Sequence, residues 1–320
     1  MNTPTESFPR WNPRAFSFKF SKWLETSASE VGSVMSTDYV DFPYLKRRDE
    51  IYLVRLWSPP PTVEIKAVLV DVHGGAWCDH DRKAGHIYDK QLAQAGYAVA
   101  AIDFRCGPEF HHPAASIDVN AAVHWARLLA RQIQARSEEV VTIGSSSGGH
   151  LALLAALTPH AEDENGTELW TKDEWISPRS IDGSVPAVGA FWAPADPAAR
   201  FIYAKALNNQ LGQRLMTNSI AYFASEEAMR QASISRVVSE EPIARPPRIW
   251  FAQAGEDENV PAEIVETLGQ AYRRAGGIFE VTTYPESRHG FVHAGGKDSQ
   301  RFIRDLVSWL DAIFEARSSP

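Results

Sequence analysis

The chain has 320 residues, of which 44% are apolar and 22% are charged. A chain of this length can bury a large core without the help of disulfides or a structural metal. Its 10 Trp, 9 Tyr and 15 Phe argue against low-complexity disorder, and its formal net charge of −8 argues against a nucleic-acid-binding protein. No apolar run reaches the roughly 18 residues that a membrane span needs.

The cysteine count and the first residues bear on location. Two cysteines, Cys78 and Cys106, form no disulfide framework. The opening stretch MNTPTESFPRWNPRAF lacks the basic region followed by an apolar one that marks a secretory signal. We therefore expect a cytoplasmic protein with two free thiols and no membrane partner.

Short apolar segments alternate with helical ones along most of the chain. After residues 1–45, whose apolar spacing predicts amphipathic helices, the predicted strands are 51–57, 67–72, 97–104, 140–144, 187–192, 249–255 and 279–284. The predicted helices are 84–95, 114–135, 148–157, 262–275 and 299–316. This alternation predicts an α/β fold, with a mostly parallel central sheet covered by helices on both faces. Ligand sites in such sheets lie at the carboxyl ends of the strands.

Two segments interrupt the alternation. Residues 160–186 are predicted to form a long polar loop, and residues 195–245 are helical and amphipathic. We interpret residues 1–45 as an N-terminal helical cap segment and residues 46–320 as a catalytic domain with a cap insertion at about 195–245. Both cap segments are rich in aromatic residues, which could cover the site or form a homodimer interface instead.

A nucleophile motif follows the predicted strand 140–144. The sequence Gly-Ser-Ser-Ser-Gly-Gly-His runs from Gly144 to His150 and leads into a helix. A sharp strand-to-helix turn brings backbone segments close together, so it needs glycine on either side of the central serine. Of the three serines, only Ser146 has glycine at both −2 and +2. The spacing therefore predicts that Ser146 presents its hydroxyl at the top of the sheet.

A second glycine motif follows the strand 67–72, where the sequence reads His-Gly-Gly-Ala-Trp from His73. Glycines let backbone N–H groups approach a substrate without intervening side chains, as an oxyanion hole requires. We expect the N–H groups of Gly74, Gly75 and Ser147 to donate to the oxyanion.

A general base and an acid are needed beside a nucleophilic serine, and in this arrangement the base comes last in the sequence. His289 and His293 both stand late in the chain, just before the final helix. An imidazole can take the serine proton and return it to the leaving group. The acid that orients it could be any of three carboxylates after the strand 249–255: Glu256, Asp257 and Glu258.

Taken together, HGGAW, DFRCGPEFHHPAASID and GSSSGGHLALLAAL resemble the hormone-sensitive-lipase-like branch of the α/β-hydrolases. They are also similar to feruloyl-esterase-like and kynurenine-formamidase-like hydrolases. Ala76 replaces the third glycine of the usual HGGG, and Ser145 replaces the usual acidic residue. The resemblance covers roughly residues 50–315.

The resemblance narrows the alternatives for the base and the acid. The family pattern His-Gly-Phe selects His289 over His293, and the pattern Asp-x-x-Val-Pro selects Asp257. It also implies a buried charge network below the oxyanion loop, with these members: Asp103, Arg105, Glu109 and Asp118.

Aromatic residues at the ends of strands are candidates for the substrate pocket. Trp77 and Trp192 both fall at the carboxyl ends of predicted strands, and Ser145 adjoins the nucleophile, so we expect these three to contact substrate. The sequence shows no metal-ligand spacing, phosphate loop or dinucleotide fingerprint, so we expect neither a metal nor a cofactor.

The resemblance implies a serine-dependent hydrolase that cleaves carboxylic esters of small or aromatic molecules through an acyl-enzyme. Ser146 would be the nucleophile, His289 the base and Asp257 the acid. An arylformamidase or amidase would use the same residues on a C–N bond. A non-catalytic small-molecule receptor on the same fold is a third hypothesis, but related receptors have lost the histidine, which is present here.

Overall fold

The structure is a computed structural model that describes residues 39–159, 166–171, 174–178, 181–240 and 243–316. The helices predicted for the first 38 residues lie outside these ranges. The part of the predicted N-terminal cap segment that is described, residues 39–45, belongs to a strand.

The described strands are β1 (Tyr39–Arg47), β2 (Glu50–Trp57), β3 (Ala67–Val72), β4 (Tyr97–Ile102), β5 (Val140–Ser145), β6 (Thr167–Trp170), β7 (Trp175–Ile176), β8 (Ala187–Phe191), β9 (Arg248–Ala254) and β10 (Phe279–Tyr284). The described helices are α1 (His86–Gln94), α2 (Ala114–Gln132), α3 (Ser147–Leu157), α4 (Pro197–Leu207), α5 (Gln210–Phe223), α6 (Glu226–Gln231), α7 (Ile234–Glu240), α8 (Ala262–Arg274) and α9 (Lys297–Glu315). A short 3₁₀ helix spans Phe291–Ala294.

These strands form one sheet with the order β10-β9-β8-β5-β3-β4-β2-β1-β6-β7. The six strands from β10 to β4 are parallel, and the four from β2 to β7 join them antiparallel. The mostly parallel sheet and the predicted α/β-hydrolase fold are thereby confirmed. Strands β3, β4 and β5 are buried along their whole length, as strands covered by helices on both faces must be.

Three strands were missed by the sequence patterns. β1 contains Pro43, which argues against a regular strand, but the register with β2 shifts between Pro43 and Leu45, where the chain tolerates a proline. β6 and β7 are four and two residues long and lie in the segment 160–186 that was predicted to be a loop. Strands this short give no recognisable alternation.

The predicted helical insertion is present between β8 and β9, where it forms the four helices α4 to α7. The first of them is capped by Asp196, whose carboxylate accepts a hydrogen bond from the Ala199 N–H. We call the segment 197–240 the helical insertion. Its buried aromatic residues pack against the main core; these are Phe201, Tyr222 and Phe223.

A buried ion cluster joins β1 to the loop after β4. Both carboxylate oxygens of Asp118 accept hydrogen bonds from Arg105 at 2.9 Å, and Arg47 Nε donates to the same group at 2.9 Å. The predicted network is therefore present for Arg105 and Asp118. Asp103 instead pairs with Arg82 at 2.8 Å. Glu109 is exposed, so the assignment of Glu109 to the buried network is wrong.

A second buried group lies below the oxyanion loop and contains two carboxyls without a cation. Asp71 on β3 and Asp89 on α1 are both fully buried and interact with each other, and the Tyr88 hydroxyl donates to Asp71 at 3.1 Å. Burial raises the pKa of Asp71 to about 7. Burial and the neighbouring Asp71 charge raise the pKa of Asp89 well above its usual value. We therefore expect the two carboxyls to share a proton at neutral pH.

This pair makes the stability of the fold depend on pH. The folded chain keeps protons that the unfolded chain releases above about pH 4, so the free energy of unfolding should fall as the pH rises from about 4 through 7. Asp89→Asn replaces the shared proton by a permanent amide donor. We expect the difference in free energy of unfolding, Asp89→Asn minus wild type, to increase by about 1–3 kcal/mol from pH 5 to pH 8. Urea titrations at a series of pH values measure this difference.

The matched control is Glu138→Gln, which neutralises a carboxylate in an exposed pair with Arg131. Its difference from the wild type should stay constant over the same pH range, because exposed pairs contribute little. If the difference for Asp89→Asn were equally constant, the two carboxyls would not share a proton in the folded chain.

Candidate active site

Ser146 occupies a strained turn between β5 and α3. Its backbone has φ +51° and ψ −125°, a conformation that costs a non-glycine residue on the order of 1–3 kcal/mol. Glycine on either side allows the close approach that this turn needs. A Cβ on Gly148 would lie 1.9 Å from the Val72 carbonyl oxygen, and one on Gly144 would lie 2.7 Å from the Gly148 backbone. The glycine pattern thus reflects space that does not exist for larger residues.

The three predicted residues Ser146, His289 and Asp257 meet at the carboxyl edge of the sheet. The Ser146 Oγ lies 2.9 Å from His289 Nε2, and His289 Nδ1 lies 2.9 Å from Asp257 Oδ2. In the tautomer that fits both contacts, Nδ1–H donates to the carboxylate and Nε2 accepts from the serine hydroxyl. The acid and base thus come from the loops after β9 and β10, 32 residues apart in the chain.

The carboxylate of the acid is fixed by its own loop. Asp257 Oδ1 accepts hydrogen bonds from the N–H groups of Asn259 at 2.8 Å and Val260 at 3.0 Å. The Asp257 side chain is only 3% exposed, whereas the His289 side chain is 22% exposed. The arrangement leaves the imidazole open to a substrate and keeps its partner away from water. The neighbouring Glu256 points outward to Arg288, 3.7 Å away.

The loop after β3 brings the two predicted glycine donors to the nucleophile. A Cβ on Gly74 would lie 3.2 Å from the Ser146 Cβ, and Gly75 adopts φ +111°, where a Cβ would clash with the Asp79 carbonyl. Among the described residues, neither glycine N–H has an intramolecular acceptor. Ser147 is the first residue of α3, so its N–H has no partner within the helix either. All three groups are thus available to an oxyanion.

His73 holds this loop in place. Its ring stacks on Phe104 with 4.2 Å between the ring centres, and its Nδ1 lies 2.7 Å from the Gly74 carbonyl oxygen. Burial lowers the pKa of His73 to about 4, so the ring is neutral at physiological pH. The oxyanion loop therefore rests on a neutral aromatic support.

The three predicted substrate contacts are not at an open surface. Trp77 and Trp192 are 1% and 2% exposed, and the latter packs among core aromatics. The Trp77 Nε1–H donates to His150 Nδ1, and His150 Nε2 in turn contacts the Ala232 carbonyl oxygen, so His150 connects these two buried segments. Ser145 is also buried and is hydrogen-bonded to Tyr88 below the elbow. The position of a residue at the end of a strand was therefore not enough to tell whether its side chain lines the pocket or packs in the core.

Two residues next to the acid were missed by the sequence patterns. Arg200 on α4 is buried beside Trp77, and its Nη1 donates to the Asn259 side chain at 3.3 Å. The lone cation in the apolar start of the helical insertion, PAARFIYA, was the available signal. Asn259 gave none, because asparagine is common in any loop.

A cavity of about 870 Å³ opens between the β1–β2 hairpin and the loop after β4. None of Ser146, His289 and Asp257 lines it. Both cysteines do, and burial raises the pKa of Cys78 to about 11 and that of Cys106 to about 12. Both are free thiols in the neutral form.

The described residues contain neither a candidate membrane span nor a candidate metal site. No helix there has the length and hydropathy to cross a bilayer. No three His, Cys, Asp or Glu side chains there are placed to hold a metal ion.

Comparisons with solved structures support the fold. The butyrate-bound esterase Est2 of Thermogutta terrifontis aligns with a TM-score of 0.67 at 19% identity, over 87% of this chain and 95% of that one. The esterase of Pyrobaculum calidifontis aligns with a TM-score of 0.66 at 17% identity, over 98% and 97%.

Curated relatives and a family model extend the comparison. Esterase LipC of Mycobacterium tuberculosis is 26% identical over 86% of this chain and 67% of its own length. The probable isoprenylcysteine alpha-carbonyl methylesterase ICME of Oryza sativa subsp. japonica is 22% identical over 87% and 63%. The chain thus spans about two thirds of these relatives. The BD-FAE family model matches residues 55–271, which is more than half of the sequence. The chain belongs to the BD-FAE family of α/β-hydrolases.

Proposed function

We propose that this protein hydrolyses carboxylic esters through an acyl-enzyme on Ser146. The hydrogen-bonded series from Ser146 through His289 to Asp257, at a strained elbow, carries the proposal. The relatives named esterase, which align over most of this chain, support the same reaction class.

In the proposed reaction, His289 Nε2 takes the proton of the Ser146 hydroxyl as Oγ attacks the acyl carbon. The negative oxygen of the tetrahedral intermediate accepts hydrogen bonds from the N–H groups of the oxyanion hole: Gly74, Gly75 and Ser147. Each such donor contributes about 3–4 kcal/mol to transition-state stabilisation. The carbon–oxygen bond to the alcohol then breaks, and His289 gives its proton to the leaving oxygen.

Deacylation repeats these steps with water as the nucleophile. His289 removes a proton from water, which attacks the acyl carbon of the ester on Ser146. Collapse of the second intermediate returns the proton to Ser146 and releases the acid. Asp257 stabilises the imidazolium in both halves and orients the ring.

We further propose that the substrates are small or aromatic esters. Ser146 is half-buried, and the helical insertion places Tyr222 and Phe223 against Trp77 close to the oxyanion loop. All three rings are buried, so these described residues present no apolar face to an emulsified lipid. Est2, which shares the fold, has been solved with butyrate and with propionate bound.

An arylformamidase or amidase would use the same residues on a C–N bond. No contact among the described residues of the site favours an amide over an ester. The proposal of an ester substrate over an amide therefore rests on the relatives named esterase. Rates on matched aryl esters and formanilides separate the two reactions.

Ser146→Ala should lower kcat on p-nitrophenyl butyrate by about 10⁴-fold or more, because the nucleophile is lost while the fold is kept. The two flanking serines provide matched controls. Ser145→Ala and Ser147→Ala keep the backbone N–H groups, so each should retain activity within about tenfold of the wild type. Full activity of Ser146→Ala would refute the assignment of Ser146 as the nucleophile. So would a loss of activity confined to Ser145→Ala or Ser147→Ala.

Acyl-chain length tests the substrate class. We expect kcat/KM for p-nitrophenyl acetate and butyrate to exceed that for p-nitrophenyl palmitate by at least about tenfold, because the long chain finds no open apolar surface. Triolein should not be hydrolysed measurably. Faster turnover of palmitate or triolein would contradict the proposed substrate class without touching the proposed mechanism.

A further inference from the structure

The helical insertion carries a buried cation beside the proposed catalytic acid. Arg200 is 1% exposed, and its guanidinium lies 4.8 Å from the centre of the Trp77 ring. Among the described residues, no carboxylate lies within 4 Å of it, and its Nε has no hydrogen-bond partner. Its contacts are neutral: Nη2 donates to Ser219 at 3.0 Å and Nη1 to Asn259 at 3.3 Å.

A buried guanidinium without an ion pair disfavours folding. Burial lowers the pKa of Arg200 to about 10, which still leaves it charged at neutral pH, and the Asp257 charge acts in the opposite direction. Replacing a buried ion by an apolar side chain of similar volume is often neutral or stabilising. Stability alone therefore does not account for an arginine at this position, and the groups that it faces point to a further role.

Arg200 connects to the acid through one residue. Its Nη1 donates to the Asn259 side chain, and the Asn259 N–H donates to Asp257 Oδ1 at 2.8 Å. The guanidinium and the Asp257 carboxylate also interact electrostatically. A positive charge is thus held near the carboxylate through Asn259, without touching it.

We infer that Arg200 is a positioning residue for the acid: it steadies the loop that holds Asp257, and its charge offsets part of the carboxylate's attraction for a protonated His289. This inference rests on the proposed function. Its consequence is that loss of the Arg200 charge should strengthen the attraction between Asp257 and a protonated His289.

Other titratable groups face this assembly. Tyr203 on α4 interacts electrostatically with Asp257, and His150 on α3 interacts with Arg200. Burial lowers the pKa of His150 to about 3, so it carries no charge in the working range. The exposed Arg288 and Glu256 lie beside the acid and base in sequence and pair with each other. Arg200 is therefore the buried charge whose removal should act on the acid–base pair.

The test is Arg200→Met, which removes the charge and keeps an apolar side chain of similar length. NMR titration of the His289 ring should show its midpoint moving to higher pH by about half a unit or more, as expected for one unit charge at short range in a partly buried site. The acidic limb of the pH profile of kcat/KM should also move to higher pH. The thermal midpoint should be unchanged or higher.

Two controls separate this role from a structural one. Lys205→Met makes the same charge change on an exposed position of α4 and should move neither midpoint. Arg200→Lys keeps the charge and should leave the His289 midpoint near that of the wild type. The inference is overturned if Arg200→Met leaves the His289 titration unchanged, or if Lys205→Met shifts it equally. Because the NMR titration needs no turnover, an absence of ester hydrolysis would count against the proposed function alone.

Discussion

The close approach of two backbone segments at Gly144 and Gly148 is the constraint on which the site depends. At 1.9 Å from the Val72 carbonyl oxygen, a Cβ on Gly148 has no room, so β5 can turn into α3 this tightly only with glycine there. The turn holds Ser146 at positive φ, directs its hydroxyl to His289 and leaves the Ser147 N–H at the helix start. The strain is balanced by the buried strands and helix on either side.

Buried charges surround this turn and differ in how they are balanced. Asp118 is neutralised by two arginines, and it joins the first strand to the loop after β4. Asp71 and Asp89 lie together below the sheet edge, where burial raises the pKa of both. Among the described residues, Arg200 has no carboxylate in direct contact, and it lies next to the proposed acid. The Asp118 cluster joins two elements of the fold, the Asp71–Asp89 pair should make fold stability depend on pH, and Arg200 is proposed to act on the acid.

The sequence predicted the parallel sheet, the helical insertion and the residues that meet at its edge, because each of these leaves a strong local pattern. It failed where the pattern was short or where contacts were distant. β6 and β7 are too short to alternate, and Trp77 and Trp192 follow strands yet turn into the core. Arg200 reaches Asn259 across 59 residues, a contact that depends on how the insertion folds back on the sheet.

A covalent adduct at Ser146 is the most direct test of the account. The protein should be treated with diethyl p-nitrophenyl phosphate, and the adduct located by intact-mass measurement and peptide mapping. The account predicts one diethylphosphoryl group per chain, on Ser146, and none in Ser146→Ala. A stoichiometric adduct on any other residue, or equal labelling of Ser146→Ala, would contradict the claim that the elbow presents the nucleophile.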